Sequence, residues 1–259
     1  MRARKRFGQN FLSDQAIIQR IINAIGAAPG QHILEIGPGH GALTKHLIAS
    51  GATLEVVEID RDLVAELTAT HGDALRIHSA DVLAFDLATQ PPGTRLVGNL
   101  PYNISTPLLF RTFEHVDRFR DMTFMLQAEV VDRMSAEPGT GDYGRLSIMC
   151  QYFCEVESLI DVPPSAFTPA PKVNSAIVRL TPRATREPTI EDASLMGDLL
   201  RAAFSKRRKT LRNALRGYVT DEGFEALGID PAQRPENLDV TTWVQCANWT
   251  ARAKAAGKT

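Results

Sequence analysis

The stretch HILEIGPGHGALT, residues 32–44, constrains the fold more than any other part of the chain. A short apolar run breaks into Gly37-Pro38-Gly39-His40-Gly41 and resumes as the helix-like ALTKHLIAS. A buried strand that turns through glycines straight into a helix is the opening unit of a parallel sheet. The same pattern repeats downstream. TLEVVEID and LRIHSAD read as strands ending in acid, with the helical RDLVAELTAT between them. RLVGN and MTFMLQ read as further strands, AEVVDRM and GRLSIMCQYF as helices, and EVESLIDV and NSAIVRL as two late strands. The predicted class is α/β: a parallel sheet covered by helices on both faces. The last two strands have no obvious helix between them, which predicts an antiparallel pair at one edge. Upstream, Ser13 is the predicted cap of a helix carrying Ile17, Ile18, Ile21, Ile22 and Ile25. Thr106-Pro107 is a second predicted helix start.

The polar, proline-containing TPRATREP (181–188) reads as a linker. Beyond it the pattern is helical only, with Trp243 and Trp249 available for a small core. The predicted division is a catalytic domain over 1–183 and an all-helical domain over 184–259. No run of about 18 apolar residues marks a membrane span. The basic N-terminus MRARKR has no apolar stretch after it, unlike a signal peptide. Cys150, Cys154 and Cys246 show neither a disulfide framework nor a zinc spacing. They are expected to be buried thiols in a cytoplasmic protein, with no metal site.

The glycine turn lets a ligand approach the backbone and offers it a helix N-terminus. Glu58 ends the next strand, where a carboxylate can accept both hydroxyls of a ribose. Asp81 ends the third strand and is placed to receive an adenine amino group. Three such groups at successive strand ends line one crevice, which asks for an adenosine-containing ligand. The spacing is Gly-x-Gly-x-Gly, which weakens a dinucleotide interpretation without choosing among the others.

GNLPYNIS, residues 98–105, opens on the same crevice. A turn needs only the amide and the proline; the tyrosine asks for a further reason. If the ligand is S-adenosylmethionine, the enzyme must align a nucleophile behind a methyl carbon bearing a sulfonium leaving group. The exocyclic amine of adenine is a poor nucleophile, because its lone pair is delocalised into the ring. The Asn99 side-chain oxygen and the Leu100 carbonyl, held by Pro101, can accept its two N–H groups and stabilise the charge that develops. Tyr102 then supplies a flat face for an extruded base, and Phe167 is a candidate for the opposite face.

With RKRFGQNFL, EIGPGHGALT, VVEIDRDL, GNLPYNISTPL, VPPSAFTPAPKVNSAIVRL and FSKRRKTLRNAL in view, the chain resembles the rRNA adenine N6-dimethyltransferase family, and within it the small-subunit branch. The resemblance implies a Rossmann-like class I methyltransferase sheet with S-adenosylmethionine as cofactor. It implies two methyl groups on each of two adjacent adenosines in a hairpin loop near the 3′ end of small-subunit rRNA, late in subunit assembly. It also implies that Asn10, Leu12, Gly37, Gly39, Glu58, Ile59, Asp81, Val82 and Asn99 bind the cofactor, and that Asn99, Leu100, Pro101 and Tyr102 form the catalytic motif. His40 stands where the family pattern is variable and reads as an incidental loop residue.

Net charge is −1, but the charge is unevenly placed. Arg4, Lys5 and Arg6 crowd the start, and residues 199–217 hold seven basic residues and no acid. Arg208, Arg212 and Arg216 are predicted to share one helical face opposite Phe204, Leu211 and Leu215. With Lys206, Arg207 and Lys209 they are expected to neutralise rRNA phosphates without reading sequence. The protein is expected to act as a monomer on rRNA in an assembling small subunit. Alternative assignments are a large-subunit rRNA adenine dimethyltransferase, a non-catalytic rRNA-binding assembly factor, a DNA adenine methyltransferase, or a dehydrogenase.

Overall fold

A computed structural model describes residues 10–205 and 208–257. In chain order the elements are β1 (Phe11–Leu12), α1 (Gln15–Ile25), β2 (His32–Ile36), α2 (Thr44–Ala49), β3 (Thr53–Glu58), α3 (Arg61–His71) and β4 (Arg76–Ser79). There follow β5 (Thr94–Asn99), α4 (Ser105–Glu114), β6 (Phe119–Gln127), α5 (Ala128–Met134), α6 (Arg145–Phe153), β7 (Cys154–Val162), β8 (Phe167–Thr168) and β9 (Ser175–Pro182). The chain continues as α7 (Ala193–Phe204), α8 (Leu211–Ala214), α9 (Asp221–Ala226) and α10 (Val240–Ala255). Among the described residues, no helix is long and apolar enough to cross a membrane.

Contacts divide the chain into two compact units, Met1–Val131 with Cys154–Pro182, and Asp132–Phe153 with Arg183–Thr259. In the first, a seven-stranded sheet has the order β4-β3-β2-β5-β6-β9-β7. The strands from β4 to β6 are parallel; β9 runs antiparallel to both β6 and β7, so the late strand pair sits at one edge. The chain lays β3 and β4 on one side of β2, then returns to place β5 on the other. The crevice between the carboxyl ends of β2 and β5 is therefore the switch point, where ligands of such sheets bind. Gly98 lets these strands meet: a Cβ there would lie 2.7 Å from the Ile36 carbonyl oxygen.

Helix α1 buries Ile17, Ile18, Ile21 and Ile25. Its cap is Asp14, whose carboxylate accepts from the Ala16 and Ile17 N–H groups; the Ser13 hydroxyl predicted for that role hydrogen-bonds instead to the Ala166 carbonyl. The other end of α1 is held by Arg95, which is 5% exposed. Its guanidinium donates to the carbonyl of Ile25 at 2.7 Å, to Gln31 Oε1 at 2.9 Å and to the Asp121 carboxylate at 3.0 Å. A buried charge is tolerable there because its protons are matched by acceptors. Helix α4 begins at Ser105 rather than at the predicted Thr106-Pro107, and no side chain caps it.

The second unit takes in residues 132–153, which the sequence suggests belong with the catalytic sheet. Their polar partners explain this. Tyr152 Oη donates to the Pro188 carbonyl and accepts from the Ile190 N–H, and the Gly139 N–H donates to the Glu236 carbonyl at 2.7 Å. Trp243 is fully buried in this unit, while the Trp249 ring lies so close to Gly223 that a Cβ there would come within 2.6 Å of it. All three cysteines are buried. The single helical face predicted for Arg208, Arg212 and Arg216 does not form: α7 ends at Phe204 and α8 is only four residues long. Leu211 and Leu215 are buried as expected, but no continuous helix aligns Arg208, Arg212 and Arg216.

Candidate active site

At the end of β2 the chain enters the glycine turn with Gly37, Gly39 and Gly41 all at positive φ, between 59° and 77°. Only glycine adopts this region without strain, so the turn dictates its own sequence. A Cβ on Gly39 would lie 3.1 Å from the Phe11 ring, because β1 passes directly over the turn. The His40 ring tilts against Phe11 at 4.3 Å between centroids, and its Nδ1 lies 2.9 Å from Glu66 Oε1.

Two adjoining cavities open here. The first, about 90 Å³, is lined by Asn10, Phe11, Leu12, Glu35, Gly37, Glu58 and the Asn99–Tyr102 motif, among others. The second, about 240 Å³, is lined by Glu58, Asp81, Val82 and Asn103, among others. Gly37, Glu58, Ile59 and Pro101 border both. Together they reach the roughly 300 Å³ at which small-ligand sites begin.

Glu58 stitches β3 to the turn. Its Oε1 accepts from the Asp60 N–H at 2.9 Å and its Oε2 from the Gly39 N–H at 3.3 Å. Burial nonetheless raises its pKa, with the backbone hydrogen bonds acting in the opposite direction. Asp81 is exposed and its Oδ1 accepts from the Leu83 N–H at 2.9 Å, so it caps a turn and lines the second cavity at once. Ile59 is 44% exposed there, an apolar surface suited to a flat ring.

Glu35 is a site residue that motif reading misses. It stands within an apolar strand, is 2% exposed, and accepts the Thr44 hydroxyl at 2.7 Å. Burial pushes its pKa up to about 7; the Thr44 bond lowers it and the Glu58 charge raises it. The available signal was an acid two residues before the first turn glycine, on a strand that otherwise has none.

The end of β5 carries the catalytic candidates. Asn99 Nδ2 donates to the Asn10 carbonyl at 3.0 Å. Leu100 is buried, and its N–H donates to the Met125 carbonyl at 3.2 Å. The turn closes with Ile104 N–H donating to the Pro101 carbonyl and Ser105 Oγ to the Tyr102 carbonyl. Tyr102 is half-buried, and its Oη lies 2.7 Å from Ser175 Oγ.

Phe167 requires a correction. It is 4% exposed, packs in the hydrophobic core and pairs across β1–β8 with Leu12. It does not line either cavity, so in this conformation it offers no face to a base. Of the expected RNA contacts, Arg4, Lys5, Arg6, Lys206 and Arg207 lie outside the described residues. Arg208 and Lys209 are exposed between α7 and α8, and Arg212 is paired with Asp221 at 3.2 Å.

Residues 1–252 match the family model described as ribosomal RNA adenine dimethylase. The chain is 56% identical over 251 residues to "Ribosomal RNA small subunit methyltransferase A" of Aromatoleum aromaticum, covering 96% of this chain and 95% of that one. It is 53% identical over 260 residues to the protein of the same name from Pseudomonas putida, covering 98% and 97%. Among solved structures, a dimethyladenosine transferase from Plasmodium falciparum is 26% identical with a TM-score of 0.79, covering 95% of this chain and 98% of that one. The 23S rRNA methyltransferase ErmE is 25% identical with a TM-score of 0.65, covering 93% and 100%.

Proposed function

The chain belongs to the ribosomal RNA adenine dimethylase family, and on that premise we propose that it dimethylates the N6 amines of two adjacent adenosines in a hairpin loop near the 3′ end of small-subunit rRNA. The small-subunit assignment is supported by relatives above 50% identity named for that activity. We infer that it acts late in small-subunit assembly, as a monomer in the cytoplasm.

The crevice fits S-adenosylmethionine by the chemistry of its donors. A buried carboxylate at Glu58, an apolar Ile59 and an acid at Asp81 suit a ribose, an adenine face and an adenine edge. Asn10, Leu12, Gly37 and Gly39 lie along the other cavity, where the turn glycines leave room for close approach. When bound, this cofactor supplies a methyl group on a positively charged sulfur leaving group.

The chain's own part is to hold the amine and exclude water. The single observation that carries the proposal is the hydrogen bond from Asn99 Nδ2 to the Asn10 carbonyl. With its nitrogen committed to the protein, Asn99 presents Oδ1 as an acceptor for an amine N–H. The Leu100 carbonyl is the second acceptor in this proposal. Two acceptors localise the lone pair toward the incoming carbon and stabilise the positive charge that forms. Tyr102 stacks the base, worth about 1–3 kcal/mol. No strong base is needed, because the methylated amine is acidic and loses its proton to solvent.

The test is transfer from labelled cofactor to undermethylated small subunits, with the label mapped on the rRNA. Label on two neighbouring adenosines of a 3′ hairpin is expected. Label elsewhere, or on large-subunit rRNA alone, overturns the assignment.

A further inference from the structure

We propose that Ser175 is the positioning residue for the base platform: its hydroxyl holds the Tyr102 phenol oxygen and thereby sets the direction and plane of the ring. The inference rests on Tyr102 being the stacking face, as proposed above. Ser175 lies 73 residues from Tyr102 in sequence and lines neither cavity.

The Tyr102 backbone is already fixed. Pro101 restricts the chain before it, Ser105 Oγ donates to its carbonyl at 2.8 Å, and the Ile104 N–H closes the turn on the Pro101 carbonyl at 3.0 Å. What remains free is the side chain, and a stacking platform is useful only if its plane is fixed before the base arrives. The Oη···Oγ contact of 2.7 Å supplies that. It fixes the axis from Cβ to the phenol oxygen. Because the phenol oxygen is conjugated with the ring, its hydroxyl hydrogen and its best acceptor direction lie in the ring plane. A partner at one fixed point therefore also selects the ring's rotation about that axis.

The anchor itself is immobile. Ser175 is fully buried at the start of β9, opposite Gln127 of β6 on one side and Val162 of β7 on the other. An interior strand position held from both sides is among the most rigid points a sheet provides. The arrangement also answers a solvation need. A base stacked on Tyr102 excludes water from its surroundings, and a phenol oxygen left without a partner there is costly. Ser175 satisfies it from within the protein, so stacking needs no rearrangement.

The experiment measures kcat and KM for methyl transfer to undermethylated small subunits, alongside calorimetric affinity for S-adenosylmethionine. The variants are Ser175→Ala, Ser175→Thr, Tyr102→Phe and the double variant S175A/Y102F. S175A is expected to lower kcat/KM for the subunit about tenfold with cofactor affinity unchanged, and S175T, which keeps the hydroxyl, to restore most of it. Because both single changes delete the same hydrogen bond, the double variant is expected to be no worse than the poorer single one. Multiplying losses, wild-type transfer by S175A, or equal defects in S175A and S175T overturn the proposal. Should S175A not fold, Y102F and S175T carry the same comparison from the more exposed partner and the conservative one. An Asn99→Ala control separates the two readings. If it abolishes transfer while S175A has no effect, only the anchor falls; if it leaves transfer intact, the catalytic assignment falls.

Discussion

The amide nitrogen of Asn99 donates to the backbone carbonyl of Asn10 across a sequence separation of 89 residues. The two ends of an asparagine amide are ordinarily hard to tell apart. Here they are not, because a carbonyl can only accept. The segment that precedes the first helix thus fixes which end of the Asn99 amide it occupies, leaving Oδ1 for the amine in the mechanism proposed above.

Replacing Asn99 by Ala removes an acceptor and is expected to lower kcat by about 10²–10³-fold, the usual cost of one preorganised hydrogen-bonding group. Binding of small subunits, measured by sedimentation, is expected to stay within a fewfold of wild type. Equal losses in transfer and binding would assign Asn99 a structural role instead.

Removing residues 1–10 deletes the Asn10 carbonyl together with the basic arm. Neutralising Arg4, Lys5 and Arg6 deletes the charge alone. The truncation is expected to lower kcat at saturating subunit, and the charge variant chiefly to raise KM and flatten its salt dependence. Identical kinetic profiles for the two would disconnect Asn10 from catalysis.

Glu35 is kept protonated by burial up to about pH 7, whereas an exposed glutamate titrates near 4.5. Between those values the folded chain holds a proton that the unfolded chain has lost. Stability therefore falls as pH rises through this window and levels off above it. Glu35→Gln keeps a partner for Thr44 and removes the titration. It is expected to match wild type near pH 4 and exceed it by up to about 3 kcal/mol at pH 8, measured by urea unfolding. A constant difference across pH would contradict the burial argument.

Gly98→Ala places a methyl group 2.7 Å from the Ile36 carbonyl, on a backbone that cannot swing away like a side chain. A loss of about 1–3 kcal/mol of stability is expected from such crowding. Because Asn99 is the next residue, transfer should fall further than the folded fraction does. Activity that merely tracks the folded fraction would show that the sheet absorbs the strain elsewhere.

In the helical unit, Arg208→Ala and Lys209→Ala are each expected to reduce the salt slope of rRNA binding by about one. Arg212→Ala is expected to matter less, since Asp221 already neutralises that guanidinium at 3.2 Å. A larger effect at Arg212 than at Arg208 would reverse this ranking.

Much of the sheet was legible in the sequence because its signals are local. Apolar runs ending at Gly37, Glu58 and Asn99 mark the strand ends that border the crevice, and the turn glycines announce their own geometry. What was illegible is set by distant partners. Nothing in Phe11-Leu12 shows that it pairs with Phe167-Thr168, and that pairing is what buries Phe167. Ser13 has the chemistry of a cap, but Asp14 is the residue whose carboxylate reaches the helix amides. The grouping of 132–153 with the later helices depends on Tyr152 meeting residues 188–190, a contact without periodicity. The basic run after Phe204 has helical spacing, yet Leu211 and Arg212 give their amides to the Gln233 and Pro231 carbonyls, which ends any continuous helix.

The pairing of β1 with β8 is only two residues long on each side. So short a ladder opens by local fluctuation at a small fraction of the cost of unfolding the sheet. Phe11 lies against the glycine turn at Gly39, so opening of this ladder would uncover the turn, whereas the Tyr102–Ser175 contact belongs to β9 and does not depend on it. Amide exchange at residues 11–12 is expected to outpace that of β2 by orders of magnitude.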